Sequence, residues 1–158
     1  MKRIKLDRFL ILSRQFANLD ILTDPILDEI GKDSIRRVVV RTRLGYGVES
    51  MGEARKKLKP LKPATILHRL RVSEAGNLFA GSTPKRSHLT MTGDMLSAIT
   101  YRKKRDGVTL LFSKQWEADK AAYNTGMGRP FFLLSDIEIK AINQILEKAM
   151  DAYIDSLV

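Results

Sequence analysis

The chain contains no cysteine. That absence excludes a disulfide scaffold, thiolate metal sites and a cysteine nucleophile, and it suits synthesis in a reducing cytoplasm. Long apolar runs are missing as well. Nothing approaches the ~18 consecutive apolar residues of a membrane span, so no membrane partner is expected. The N-terminus, MKRIKLDRFLILSRQF, begins basic and turns apolar in the manner of a signal peptide. Arg8 and Arg14 interrupt the apolar run and no small-residue cleavage site follows, which argues against that reading. Internal repeats, low-complexity tracts and domain linkers are also lacking.

The motifs of chemistry are equally scarce. Gly126-Met127-Gly128 lacks the third glycine and the strand-turn-helix setting of a dinucleotide loop, and no Gly-Lys-Ser/Thr follows as in a P-loop. It reads as a turn. His68 and His88 stand twenty residues apart, and neither has a carboxylate or a second histidine at ligand spacing. Ser87 and His88 are adjacent, a spacing at which side chains rarely face each other, and no G-x-S-x-G elbow occurs. No catalytic, cofactor-binding or metal-binding residue is therefore nominated, and the expectation is a non-enzyme without a cofactor.

What is present is a chain of 158 residues, 44% hydrophobic and 29% charged, expected to form one domain over residues 1–158. Residues 1–24 are set apart as a possible N-terminal arm. The net charge of +10 is unevenly distributed. Residues 1–71 hold 17 Lys and Arg against 8 Asp and Glu, whereas residues 72–158 hold 11 against 10. Such asymmetry points to an acidic partner, nucleic acid or protein, or else to a solubilising face. Arg55, Lys56, Lys57, Lys59 and Lys62 form the densest cluster, the candidate contact for DNA or for an acidic partner. Single-strand recognition calls for interleaved aromatics, and none occurs between Arg55 and Arg71. A solvated loop or a protein contact is the preferred reading.

The periodicity predicts an α+β fold: several helices, a small antiparallel sheet or hairpin, a long C-terminal amphipathic helix and extended loops. In TDPILDEIGKDSIRRVVVRTR, Asp24 is the expected N-cap and Pro25 the first helical residue, with acidic residues early and arginines late. RFLILSRQFANL before it fits a helix or a strand. Pro63 is expected to start a short helix through Arg71, and Thr92 to cap a brief helical turn. ITYRKKRDGVTLLFS reads as a hairpin turning at Asp106-Gly107. In QWEADKAAYNTG, Trp116, Lys120 and Tyr123 recur at helical spacing and Gly126 is the expected stop. Ser135 and Glu138 form a capping-box signature. Beyond them Ile142, Ile145, Leu146, Ala149, Tyr153 and Leu157 trace an apolar stripe facing either the core or a neighbour.

One segment remains: AAYNTGMGRPFFLLSD, residues 121–136. Two adjacent phenylalanines cannot both point inward from a strand with one wet face. Arg129, Pro130, Phe131, Phe132 and Leu133 are therefore candidate subunit or partner contacts, since arginine with aromatics is the composition of interface anchors. The alternative is a fully buried strand leading into the last helix.

At this point the order of segments resembles the bacteriophage virion morphogenesis and tail-completion proteins, the Mu-type G-protein group with the related lambdoid neck proteins. LTMTGDMLSAITYR resembles that family's L-x-x-T-G-x-L-x-x-S-I segment. AAYNTGMGRPFFLLSD is similar to its A-x-x-H-x-x-G followed by R-P-F-L-x-L-S ahead of a C-terminal helix. LKPLKPATILHRLR resembles W-x-P-L-S-P-x-T, and residues 31–37 resemble G-x-x-x-x-x-S-I-x. The likeness covers roughly residues 25–155. It departs from the pattern at Asn124, near the usual histidine, and around Lys59, where the usual tryptophan is missing.

The resemblance implies a structural virion protein at the head–tail joint, a neck, collar or tail-completion ring, with no chemistry. It implies a ring of six or twelve copies around the DNA channel. Expected partners are portal, adaptor or head-completion proteins, the tail terminator, and DNA in the channel. The protein would reside in the virion neck or tail, and in the host cytoplasm during assembly. Arg129 to Leu134 would be a structural turn and docking strand, and residues 44–62 and 73–88 would order only on assembly. The alternatives are a tail terminator ring or a small basic nucleic-acid-binding protein.

Overall fold

The computed structural model describes residues 22–77, 83–85, 89, 93–105 and 107–156. Among them are five helices and two antiparallel two-stranded sheets, an α+β arrangement as the periodicity predicts. The order is α1 (Asp24–Arg43), β1 (Tyr46–Gly47), β2 (Lys56–Lys57), α2 (Pro63–Glu74), α3 (Asp94–Ser97), β3 (Ile99–Lys104), β4 (Gly107–Phe112), α4 (Gln115–Gly126) and α5 (Asp136–Asp155). No helix among the described residues is long and apolar enough to cross a membrane.

Helix α1 is the central element, packed against β3, β4 and α5. It starts one residue earlier than expected: Thr23 is the N-cap, and Asp24 is the first helical residue. Its inward face carries Leu27, Ile30 and Val38, all buried. Gly31 lies among them because the Tyr101 ring crosses the helix there. A Cβ at Gly31 would stand 2.5 Å from Tyr101 Cδ2, closer than real contacts allow. The same tyrosine donates its hydroxyl hydrogen to Asp28 Oδ1 at 2.9 Å.

The second sheet is the predicted hairpin, but its register moves the turn. Lys104 pairs with Gly107, so Gly107 is a strand residue; Asp106 lies outside the described residues. Alternation in β4 buries Val108 and Leu110 beneath α1. Helix α3 is entered through Gly93 at φ 85°, a left-handed conformation that favours glycine; the expected cap, Thr92, lies outside the described residues. The first sheet was not foreseen. Tyr46 pairs with Lys57 and Gly47 with Lys56, so the connection 44–62 is organised within a single chain rather than only on assembly. Of the other such stretch, 73–88, residues 78–82 and 86–88 lie outside the described residues.

Helix α5 closes the core. The capping box is complete: the Ser135 N–H donates to Glu138 Oε2 at 2.7 Å, and the Glu138 N–H to Ser135 Oγ at 3.4 Å. Ile142 and Leu146 are buried, so the middle of the α5 stripe faces its own core; Ile145, Ala149 and Tyr153 are partly exposed and Leu157 lies outside the described residues. The core joins Leu27, Ile30, Leu96, Phe131, Leu134 and Ile142 in one cluster.

Candidate functional site

The segment between α4 and α5 is a chain of turns rather than a strand, and each of its residues is held by a different part of the molecule. Helix α4 ends at Gly126, yet the left-handed residue that turns the backbone is Gly128, at φ 76°. Its N–H reaches Thr125 O at 3.0 Å, and the Arg129 N–H reaches Asn124 O at 2.9 Å. The Arg129 guanidinium then donates to two carbonyls of the basic connection, from Nε to Lys59 O at 3.1 Å and from Nη2 to Pro60 O at 3.0 Å. The Pro130 carbonyl accepts from the Val48 N–H at 3.0 Å and lies directly on Gly47, where a Cβ would meet it at 2.0 Å. Only glycine fits beneath that carbonyl.

Phe131 is fully enclosed by its own subunit, at 0% exposure. Its ring is a core element and offers no surface to a partner, so Phe131→Ala is first of all a folding variant. Phe132 is half-buried and stacks on Phe112 at 4.6 Å between ring centroids. Leu133 is half-buried, and the Leu134 carbonyl accepts from the Gly52 N–H at 3.0 Å.

Beneath this segment lies an ion pair that local sequence patterns do not announce. Arg41, at the end of α1, and Glu138, at the start of α5, are 1% and 2% exposed. Arg41 Nη1 donates to Glu138 Oε2, and Nη2 donates to the Phe131 carbonyl. One carboxylate oxygen thus receives both the Arg41 guanidinium and the Ser135 N–H of the cap. Burial lowers the Arg41 pKa from its ordinary value; the Glu138 charge opposes that shift and the Arg55 charge adds to it. Arg41 stays protonated. It acts as a three-way clamp on α1, α5 and the backbone at Phe131.

The basic cluster lies alongside. Arg55, Lys56, Lys57, Lys59 and Lys62 are all exposed, while Leu58 and Leu61 between them are buried and anchor the connection. The Leu58 N–H reaches Gly45 O at 2.8 Å, and Lys56 Nζ bridges to Glu49 Oε2 at 2.6 Å. The hydrogen bond from Lys56 to Glu49 raises the Lys56 pKa. The two candidate groups, separate in the sequence, are therefore one structural unit joined by Arg129. Arg69 belongs to it too. This residue of α2 is 5% exposed, and its pKa is lowered by burial and then by the neighbouring Arg129. Trp116 and Tyr123 turn outward from α4, 58% and 69% exposed, so their helical spacing marks a surface and not a core.

A groove of about 890 Å3 runs between α1 and α5. Six of its charged side chains are engaged with one another: Lys103 bridges Asp28 at 3.2 Å and Asp24 at 3.4 Å, and Asp33 pairs with Arg36 and Arg37. Hydrogen bonds from Tyr101 and then Lys103 lower the Asp28 pKa. Burial would raise that of Asp33, but the hydrogen bonds from Arg36 and Arg37 outweigh it and the pKa falls. Both carboxylates are held ionised. Among the described residues no three His, Cys, Asp or Glu side chains gather as a metal site would require. His68 is exposed on α2, and His88 lies outside the described residues. No protein-family model matches the chain, and no curated protein or solved structure matches it either.

Proposed function

We propose that this chain is a structural subunit at the head–tail joint of a tailed bacteriophage, a neck, collar or tail-completion protein that closes into a ring with copies of itself. The observation that supports the reading is how the segments carrying the resemblance pack. Gly31 lies under Tyr101, Arg129 is bonded to Lys59 and Pro60, and Asn124 Nδ2 approaches Met95 Sδ at 3.9 Å. Segments that resemble one family in sequence order thus form one contiguous framework. The role needs no chemistry and no cofactor. It needs a rigid subunit whose exposed surfaces are complementary to a neighbour's, because a ring closes through heterologous contacts. Exposed apolar side chains at Val40, Leu44, Leu67, Leu70 and Ile154 suit that demand.

The first test is the solution mass by light scattering, with negative-stain images of the same sample. A closed ring of several copies is expected. A monomer at every concentration, or a two-fold dimer, would contradict the reading.

The exposed basic cluster favours a second reading, a small nucleic-acid-binding protein. It requires duplex binding at low salt that weakens steeply as salt is added. Replacing Lys56, Lys57, Lys59 and Lys62 would reduce the log–log salt slope by roughly one per contact removed. Absence of binding at low salt would eliminate it.

A further inference from the structure

Two surfaces of the molecule are each at odds with their own surroundings, in opposite senses. The first is α2. Arg69 is the one residue of this helix that is buried, while Leu67 is 59% and Leu70 36% exposed. Pro63, Leu67 and Leu70 recur at i, i+4 and i+7 and so share one outward stripe. A helix of this length is marginal in water without tertiary packing, and here its most apolar stripe is uncovered. Lys62 stands at the N-cap and Arg71 in the last turn, the stripe ends on the exposed Glu74 four residues after Leu70, and no acidic residue occurs in the first turn, where the helix dipole would favour one.

The second surface is the C-terminal end of α5. Ile154 is 50% exposed there, with Met150 half-buried one turn back. Asp151 and Asp155 are both exposed, and the last turn has no basic residue. Two carboxylates at i, i+4 repel each other, and they sit where the negative pole of the helix dipole disfavours them. The apolar patch at this end is therefore edged by acid, whereas the patch on α2 is edged by two bases, Lys62 and Arg71, and by one acid, Glu74, at its far end.

On one molecule α2 and α5 do not pack extensively against each other. The root of α2 is tied through Arg129 to the turn that enters α5, and Arg41 pins that turn to Glu138. From Glu138 to Asp155 the helix rises about 25 Å. A contact between surfaces so placed joins the head of one copy to the tail of another, which is the heterologous geometry that closes rings.

We infer that the α2 stripe of Leu67 and Leu70, with Lys62 and Arg71, docks on the Ile154, Asp151 and Asp155 end of α5 in a second copy of this chain. The inference rests on the ring reading and gives it a specific interface. Each copy supplies the charge that the other's helix end calls for, and the two apolar patches cover one another. Opposite charge at the rim fixes direction and register, so that head meets tail and not head.

The test uses the full chain in two charge-reversed variants, K62E/R71E and D151K/D155K, compared by light scattering alone and mixed in equal amounts. Carbodiimide cross-linking of a mixture of isotopically heavy and light wild-type protein identifies contacts between copies. In the wild type, Lys62 is expected to cross-link to Asp151 or Asp155 across the heavy–light boundary. Each variant alone loses self-association by about tenfold or more, and the mixture regains it, because every junction then joins opposite charges. D151K/D155K provides an internal control. Its lysines suit the helix end, so its melting temperature holds or rises while its assembly is lost, an effect that damage to the fold would not produce.

A wild-type oligomer unchanged by either variant overturns this interface and leaves the ring reading intact. Cross-links to Asp151 or Asp155 from Lys2 or Lys5 in place of Lys62 also overturn it, assigning that face to the N-terminal segment. A wild type that is monomeric at every concentration, with no cross-link between copies, overturns both.

Discussion

Replacing Arg41 with methionine is expected to be among the most damaging single changes available in this chain. The guanidinium is 1% exposed and binds the Glu138 carboxylate and the Phe131 carbonyl. Methionine fills much of the same space but leaves Glu138, at 2% exposure, with the Ser135 N–H as its remaining donor among the described residues. Removing one partner of a buried pair costs about 3–5 kcal/mol, because the other charge stays desolvated and uncompensated. That is a large share of the ~5–15 kcal/mol that holds a domain of this size together. The melting temperature should fall by about 10 °C. The assay is a double-mutant cycle in urea, with Arg41→Met, Glu138→Gln and both. Glutamine retains the cap, so Glu138→Gln alone loses the charge and not the helix start. The double variant should be clearly more stable than Arg41→Met, with a coupling of about 1–3 kcal/mol. A loss below ~1 kcal/mol for Arg41→Met, the range of an exposed pair, would refute the clamp.

Three further outcomes follow from the packing. Gly31→Ala should destabilise by about 1–3 kcal/mol through the Tyr101 clash, although alanine is worth ~1 kcal/mol more than glycine in a helix interior; a gain in melting temperature would contradict the close approach. The hydrogen bond to Asp28 raises the Tyr101 pKa above the ordinary tyrosine value. Its contribution is fully present below the unfolded tyrosine pKa and is lost as pH rises through the folded one, so Asp28→Asn should move the ultraviolet titration of Tyr101 to lower pH, and an unchanged titration would refute the bond. Arg129→Ala should release the carbonyls of Lys59 and Pro60 and speed hydrogen exchange at the Leu58 amide, while the amides of α5 remain protected; equal protection in both variants would show that Arg129 does not hold the connection.

The parts legible in the sequence are those governed by local rules. The α5 start was readable because a capping box needs only Ser135 and Glu138 three residues apart, and the hairpin because alternation and turn residues lie within fifteen positions. Errors of one residue arose where neighbouring residues compete for one role: Thr23 against Asp24 at the α1 start, and a turn at Asp106-Gly107 where Gly107 belongs to β4. The clamp was beyond reach. Arg41 already had a local explanation as a basic residue at a helix end and Glu138 as a capping residue, so nothing linked two positions 97 apart. Phe131 and Phe132 divide as the periodicity argument requires, one inward and one partly out, but on a chain of turns and not a strand. The glycines carried more signal than was read from them. Gly31, inside an otherwise regular helix, already implied the close approach that Tyr101 makes.

Head-to-tail assembly of this chain with copies of itself, as proposed above, is decided by its mass in solution, measured by light scattering and imaged in parallel by negative stain. The expected species is a closed ring whose mass is an integral multiple of the subunit mass, 17.9 kDa. A species that remains monomeric at every concentration, or stops at a two-fold dimer, would contradict it.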